Sequence, residues 1–348
     1  MFWSAISLFS RYFVTLNNRN NPSETFSRII KKCYLCKMKF YFAPFHGISM
    51  RIFRGIFFSH FGGFDAVVAP FVAAVPHSQL KPSYFSDIYP LSDTGPLIPQ
   101  IMGNNARDIA DTAAYLYNLG FERVNLNLGC PMPKITRKKR ACGLMPFADE
   151  IEQIVSRVCE TSPVKFSLKM RLGMYSAEEC INVLERVNNY PVDEVIVHAR
   201  LGVQQYEGTV DRQAFQHCCQ MCRLPLCYNG DIFTQEDFQS VTLQFPHLHA
   251  VMLGRGMLQN PFLLEEIKGN SIPAEEKNRR FVNFHQDLTN TYLQYYPCQA
   301  MVVCRLKELW KYFYRSARLS EPQLQQLLRQ QGDEFLTATC QLAEKSFI

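Results

Sequence analysis

The sequence lacks the features of a membrane-spanning or secreted protein. The apolar stretch at its start, residues 1–16, is interrupted by Arg11 and is too short to cross a bilayer. It also has neither the basic start nor the small-residue cleavage site of a secretory signal. We therefore expect no stable membrane association.

A disulfide framework is missing as well. The 13 Cys are odd in number and scattered through what reads as an enzyme core, which favours a reducing compartment, and we expect a cytoplasmic protein. Cys33 and Cys36 form a C-x-x-C pair, but no second pair lies nearby to complete a zinc site. No metal is expected.

Strong overall charge is absent from most of the chain. The net charge is +6, but residues 1–38 hold six cationic residues against Glu24 alone, so the remainder is near +1. Evidence for a nucleic-acid partner must therefore come from local clusters. We predict that residues 1–38 are an upstream extension without a fold of their own. A mitochondrial presequence is the alternative, because the stretch contains Arg and Ser and almost no acid.

From residue 39 onward one unit repeats: a short apolar strand, a polar loop and an amphipathic helix. The pattern predicts eight strands, at residues 40–45, 66–71, 97–102, 123–130, 165–171, 194–200, 225–229 and 250–253. Alternating strands and helices favour parallel βαβ units, and eight units over roughly 220 residues match a (β/α)₈ TIM barrel. The alternative is an open doubly wound sheet, but no G-x-G-x-x-G follows the first strand.

After Pro261 the strand pattern stops. Apolar residues recur at three- and four-residue steps through 281–295 and 302–313, and shorter helices are predicted near 321–329 and 333–344. We expect a barrel over residues 39–262 and an appended C-terminal helical bundle over 263–348. The basic residues of this bundle are explained equally well by phosphate contacts and by an ordinary solvated helix face.

The stretch at residues 124–145 combines a thiol with a basic loop. A buried strand turns at Gly129, and Pro131 prevents it from continuing, so Cys130 is predicted to be exposed on a stiff turn. A lone Cys is more often a small buried hydrophobe, and a basic loop is usually solvated surface. Together they fit an acid/base thiol of an enzyme acting on nucleic acid, although nearby cations would lower the thiol pKa unless the pocket kept them distant. The five cations are Lys134, Arg137, Lys138, Lys139 and Arg140.

Polar residues also stand at the other strand ends, where barrel active sites collect. The N-G-D and G-R-G loops after strands 7 and 8 have the glycines and the Arg of a phosphate site, which predicts a phosphorylated cofactor. Lys169 lies near the barrel mouth in an otherwise apolar strand and requires an anion. A reduced flavin, with its charge near N1 and O2, would supply that anion; a neighbouring carboxylate is the alternative.

The ordered set of these segments resembles the tRNA-dihydrouridine synthases, flavin enzymes that reduce uracil in tRNA. The resemblance covers about residues 39–320, and residues 305–312 look like that family's tRNA-binding domain. It implies FMN as the cofactor, NADPH as the reductant and tRNA as the partner, with a monomer as the default state. The segments that carry it are A-P-F-H-G-I-S, N-L-N-L-G-C-P, K-M-R-L-G, V-H-A-R, N-G-D-I and V-M-L-G-R-G-M-L-Q-N-P.

The same resemblance implies roles for individual residues. Cys130 matches the general acid that protonates C5 of uracil while hydride reaches C6, and Asn127 matches a hydrogen-bonding partner of the uracil edge. Substrate contacts are expected from Arg200, Gln204 and Tyr206 and from the basic loop. The flavin-contacting positions are Pro44, Phe45, His46, Gln100, Lys169, His198, Asn229, Gly230, Asp231, Gly254 and Arg255.

Some positions depart from the family pattern, and other functions stay open. Met50 stands where Asp is usual, and Ala199 and Leu201 replace a usual Gly and Thr, which leaves substrate positioning and subfamily undecided. One alternative is an FMN-dependent TIM-barrel oxidoreductase acting on a small molecule, against which the helical tail and the basic loop argue. Another is an inactive RNA-binding barrel, against which the presence of Cys130 and Lys169 argues.

Overall fold

Ten parallel strands form a barrel in the second of the chain's two units, which are Met1–Met38 and Lys39–Ile348. The computed structural model describes residues 38–88 and 96–347. Apart from Met38, the extension predicted for residues 1–38 lies outside the described residues. No helix within the described ranges is long and apolar enough to cross a membrane.

The strand pairings close the barrel. The strands are β1 Lys39–Phe42, β2 Ala66–Val68, β3 Val72–Ala73, β4 Leu97–Ile98, β5 Gln100–Met102, β6 Arg123–Leu128, β7 Lys165–Gly173, β8 Glu194–Leu201, β9 Leu226–Asn229 and β10 Ala250–Leu253. Strand β1 pairs with both β2 and β10, β2 pairs with β4, and β3 pairs with β5. The predicted third strand, residues 97–102, is split in two at Pro99, because proline cannot donate to the ladder. The predicted second strand, residues 66–71, ends at Val68, and β3 begins beyond Pro70 and outside the predicted range. The predicted eight-stranded parallel barrel is confirmed.

Helices cover the barrel and continue beyond it. Around the strands lie α1 Arg51–His60, α2 Ala106–Asn118, α3 Pro133–Thr136, α4 Ala148–Thr161, α5 Glu178–Val187, α6 Arg212–Met221, α7 Gln235–Gln244, α8 Arg255–Gln259 and α9 Leu263–Ile267. The tail contains α10 Ala274–Tyr295, α11 Gln299–Phe313, α12 Glu321–Arg329 and α13 Gly332–Glu344. The four tail helices match the predicted ones closely. The predicted basic loop, by contrast, contains the short helix α3.

Apolar and polar side chains share the barrel interior. The middle is an apolar layer that includes Tyr41, Ile196 and Met252. At the end where the strands begin, the Tyr41 hydroxyl donates to Glu194 Oε2 at 2.8 Å, and Arg123 pairs with Glu194 at 2.7 Å. The opposite end, where the strands finish, holds the remaining polar interior residues and is described below.

The tail packs against the barrel near its mouth. Phe284 of α10 places its ring 5.7 Å from that of Phe57 and 5.1 Å from that of Phe61, both contacts being edge-on. The Nη1 group of Arg305 in α11 donates to the backbone carbonyl of Gly47, after β1, at 2.9 Å. Helix α11 therefore borders the end of the barrel at which the candidate site lies.

Candidate functional site

The turn that carries Cys130 is held by side chains from two directions. Asn127 Oδ1 accepts hydrogen bonds from the backbone N–H groups of Gly129 and Cys130, both at 3.0 Å. On the other side, Arg171 Nε donates to the carbonyl oxygen of Gly129 at 3.0 Å. The thiol is thus placed by a fixed backbone. The predicted contact of Asn127 with uracil stays a prediction, and the structure gives its oxygen a positioning role.

A chain of buried amides supports Asn127. Its Nδ2 group donates to Gln100 Oε1 at 2.8 Å, and Gln100 Nε2 donates to Asn125 Oδ1 at 2.8 Å. Asn125 Nδ2 in turn donates to Ser167 Oγ at 2.9 Å. Gln100 is fully buried, so its predicted flavin contact has only the second lone pair of Oε1 and the second N–H of Nε2 available.

The Cys130 thiol keeps its proton at neutral pH. Burial raises its pKa, and this effect exceeds the lowering by a backbone hydrogen bond at Met132 and by the charges of Arg171, Lys169 and Lys134. The cations of the basic loop therefore do not generate a thiolate. A protonated thiol can act as a proton donor, which a thiolate cannot.

Four cations surround the neighbouring cleft and face one carboxylate. Asp231 accepts from Arg200 at 2.7 and 2.6 Å and from Arg255 at 2.8 Å. Within the described part of the chain, no other carboxylate lies within 4.0 Å of these arginines or of Lys169 and Arg171. This excess of positive charge favours an anionic ligand.

Lys169 itself has no acidic partner among the described residues. Its Nζ group donates to Asn229 Oδ1 at 3.3 Å. Burial, and then the charge of Arg171, lower the pKa of Lys169 to about 8. Burial and the surrounding cations also hold the pKa of His198 well below its usual range, so this imidazole is neutral at pH 7. The alternative of a carboxylate-paired Lys169 is not what the structure shows.

The loops after β9 and β10 are too tightly packed for side chains at two glycines. A Cβ at Gly256 would lie 2.1 Å from the carbonyl oxygen of Ile232. At Gly230, φ is +141°, and a Cβ would lie 2.8 Å from Val210 Cγ1. Glycine at these two positions is therefore required by the packing of the loops within the protein.

Most of the predicted flavin-contacting residues line this one cleft. Gln204, which was predicted to contact the substrate, does not line it; its Oε1 accepts from the backbone N–H of Leu201 at 2.7 Å and so shapes the loop after β8. Arg200, only 1% exposed, donates to the carbonyl of Gly208 as well as to Asp231 and is likewise engaged within the fold. The predicted residues that line the cleft are Pro44, Phe45, Lys169, His198, Tyr206, Asn229, Gly230, Asp231, Gly254 and Arg255.

His46 faces a different groove. Its ring stacks on that of Phe71, with centroids 4.9 Å apart and planes at 9°. Burial, Lys134 and Arg305 lower the pKa of His46 below its usual value. The same groove is bordered by Lys134, Arg137, Lys138 and Arg140. Lys139 instead binds Glu150 and lies over the ring of Phe147, so it is the one predicted loop cation that does not border this groove.

Arg171 was not among the predicted site residues. It is 1% exposed and donates to Leu201 O at 2.7 Å as well as to Gly129 O, which links the Cys130 turn to the end of β8. Its guanidinium carbon lies 5.3 Å from the centroid of the Tyr206 ring. The two-residue spacing from Lys169, which places both side chains on the same face of β7, was the signal that could have identified it.

Comparisons with known proteins agree with this architecture. A model of the dihydrouridine synthase family matches residues 41–344. The tRNA-dihydrouridine synthase B of Pasteurella multocida is 27% identical over 236 residues, covering 66% of this chain and 69% of that protein. The tRNA-dihydrouridine(16) synthase of Vibrio vulnificus is 27% identical over 271 residues, covering 74% and 81%.

Solved structures show the fold at much lower identity. An old yellow enzyme from Trypanosoma cruzi has a TM-score of 0.51 at 10% identity, covering 72% of this chain and 94% of that one. A histamine dehydrogenase from Rhizobium sp. 4-9 has a TM-score of 0.52 at 11% identity, covering 72% and 49%. These likenesses support the barrel fold alone.

Proposed function

The chain belongs to the dihydrouridine synthase family, and we propose that it reduces uridines of tRNA to 5,6-dihydrouridine, with FMN as the cofactor and NADPH as the reductant. The observation that carries the proposal is a protonated thiol, Cys130, on a fixed turn beside a cation-rich cleft. A cytoplasmic location and a monomeric state remain predictions.

The cleft has the donor set that FMN requires. The loops at Gly230 and Gly256, with Arg255 beside them, suit its phosphate, and Lys169 suits the negative charge of the reduced ring. The free volume of the cleft is about 50 Å³. A bound flavin therefore requires side chains that line the cleft to be displaced. When bound and reduced, the flavin supplies the hydride that C6 of uracil accepts.

The remaining step belongs to Cys130. Its Sγ–H group gives a proton to C5 of the uracil, which completes the saturation of the C5=C6 bond and leaves a thiolate that regains a proton from solvent. Arg171 and Lys169 stabilise that thiolate, since their charges favour the ionised form. The target base must leave its stack to reach this point.

A reconstitution tests this function. Holoenzyme with NADPH and an unmodified tRNA transcript is expected to yield dihydrouridine, detected by mass spectrometry of the digested nucleosides as a gain of two hydrogens. Free uridine and small enones serve as competing substrates. If only the small molecules reoxidise the reduced flavin, the chain is a small-molecule oxidoreductase instead.

The pH dependence of the proton step follows from the raised pKa of Cys130. The acid is active while protonated, so the single-turnover rate is expected to stay constant through neutral pH. It should fall only as pH rises above the ordinary thiol pKa of about 8.5. The measurement is the rate of dihydrouridine formation across alkaline pH, with Cys130→Ser expected to lack that inflection. A native-protein inflection near neutral pH would contradict the assignment.

A further inference from the structure

A second groove opens beside Cys130, distinct from the cleft that suits the flavin. It encloses about 470 Å³, which lies within the range of roughly 300–1,000 Å³ typical of small-ligand sites. Its floor contains Phe71, Met102 and Ile135, and its wall contains His46. Phe71 and Cys130 pack on the same buried cluster, which includes Met102 and Ile135. The groove and the thiol therefore border the same buried cluster.

The groove offers a flat aromatic surface. His46 and Phe71 lie face to face, with their planes only 9° apart, although they come from the loops after β1 and β2. His46 and the preceding Phe45 line different grooves, and the chain turns directly after them at Gly47, where φ is +85°. Because the two rings cover each other's inner faces, a nucleobase can stack on an outer face of the pair, and such stacking does not depend on the base sequence.

The rim of the groove is positively charged and its cations are available. Within residues 38–88 and 96–347, no carboxylate lies within 4.0 Å of Lys134, Arg137 or Lys138, whereas their neighbour Lys139 is paired with Glu150. The Nε–H group of Arg140 is buried and has no acceptor among the described residues. An apolar floor, a stacked aromatic wall and a rim of unpaired cations together match the base and the phosphates of a nucleotide.

The rim is also held in place. Asn104 Nδ2 donates to the carbonyl oxygen of Lys138 at 3.3 Å. A Cβ at Gly143 would lie 2.4 Å from the carbonyl oxygen of Thr136, so the loop closes on itself without room for a side chain there. A fixed rim lowers the ordering cost that a flexible basic loop would impose on binding.

We propose that this groove binds the nucleotide next to the target uridine in tRNA, with its base stacked on the outer face of the His46–Phe71 pair and its phosphate on Lys134 and Arg137. The proposal rests on the proposed function, because it takes Cys130 as the point at which the target uracil is held. If the neighbouring nucleotide leaves the RNA stack together with the target uridine, its binding in the groove determines which uridine lies at Cys130. NADPH, which also carries a base and phosphates, is the competing occupant.

The test is a double-mutant cycle between protein and RNA. Phe71→Leu preserves bulk and removes the aromatic face. The matched control is Phe147→Leu, because Phe147 is an exposed Phe that follows the basic loop and lies outside the groove. The RNA partners are tRNA transcripts that carry a single abasic site 5′ or 3′ of the target uridine. Both kcat/KM for dihydrouridine formation and the Kd of the holoenzyme for each RNA are measured.

On intact tRNA, Phe71→Leu is expected to weaken binding and kcat/KM roughly 10-fold, the size of one lost base–aromatic stack. On one of the two abasic transcripts the native protein should lose a similar factor and Phe71→Leu should lose nothing more. Effects that multiply on both transcripts, or an unchanged variant, would overturn the proposal. A raised KM for NADPH with unchanged RNA affinity would assign the groove to the reductant.

Failure of the proposed function gives a different result. In that case native holoenzyme makes no dihydrouridine from intact tRNA, whereas the binding cycle still decides whether the groove holds a nucleotide. His46→Ala provides a second variant, because it removes the other ring of the stack and leaves the Phe71 packing against the buried cluster in place. On the abasic transcript for which Phe71→Leu causes no further loss, His46→Ala is likewise expected to cause no further loss of binding or kcat/KM.

Discussion

Replacing Cys130 with Ala is expected to lower the rate of dihydrouridine formation by about 100- to 10,000-fold, the usual contribution of a positioned general acid. Flavin content and flavin reduction by NADPH should be unchanged. The reason is that the bonds that hold the turn, from Asn127 and Arg171, are made to backbone atoms of Gly129 and Cys130. The substitution therefore removes the proton donor and leaves the backbone conformation of the turn unchanged.

Single-turnover kinetics separate the two half-reactions. Flavin reduction is followed by its absorbance with NADPH alone, and flavin reoxidation is followed after tRNA is added. Cys159→Ala is the matched control, since Cys159 is a partly buried thiol in α4, on the outside of the barrel. A Cys130→Ala variant that reoxidises its flavin on tRNA at the native rate would show that another group donates the proton.

Elements with a strong period could be predicted from the sequence. In β7, apolar Phe166, Leu168 and Met170 alternate with polar or charged residues, and the observed strand includes the predicted one. The pattern did not predict the interruptions at Pro70 and Pro99, although proline has no backbone N–H group to donate to a neighbouring strand. The eightfold barrel is retained despite these interruptions, because β2 pairs with β4 and β3 pairs with β5.

Contacts across strands could not be predicted in the same way. Register places Gln100 opposite Asn125, and Asn127 opposite Lys169, and this arrangement makes the amide chain behind Cys130 possible. Nothing local in the sequence sets that register, because a shift by one residue would turn each side chain to the other face. The sequence therefore predicted that Gln100 contacts the flavin and Asn127 the uracil, whereas much of their hydrogen bonding is to other residues of the protein.

The direction of a side chain after a strand end was equally hidden. Phe45 and His46 are consecutive, yet they line different grooves, and the chain turns directly after them at Gly47, where φ is positive. Lys139, with φ of 53°, likewise points away from its basic neighbours and binds Glu150. Runs of like residues in loops thus predicted the composition of the site but not its geometry.

Lys169→Met is expected to stabilise the protein without flavin and to weaken its binding of FMN. Burial lowers the pKa of Lys169 to about 8, so keeping this lysine charged at neutral pH opposes folding by about 3 kcal/mol, at ~1.4 kcal/mol per pKa unit. That penalty is fully present below the lowered pKa and declines as pH rises toward the ordinary lysine value. Methionine fills similar space without charge, so the free energy of unfolding of the apoprotein should rise.

The loss of flavin affinity should be at least about 10-fold, the size of one charge-assisted hydrogen bond, measured by fluorescence titration of the apoprotein. Lys165→Met on the same strand is the control: its side chain is 61% exposed, so its unfolding free energy should change by less than about 0.5 kcal/mol. A Lys169→Met apoprotein that is less stable than the native one would mean that Lys169 already has an effective partner in the fold. A Lys169→Met apoprotein that is more stable but binds FMN more weakly would instead show that the lysine is retained for the anion it binds, at a cost to the stability of the fold.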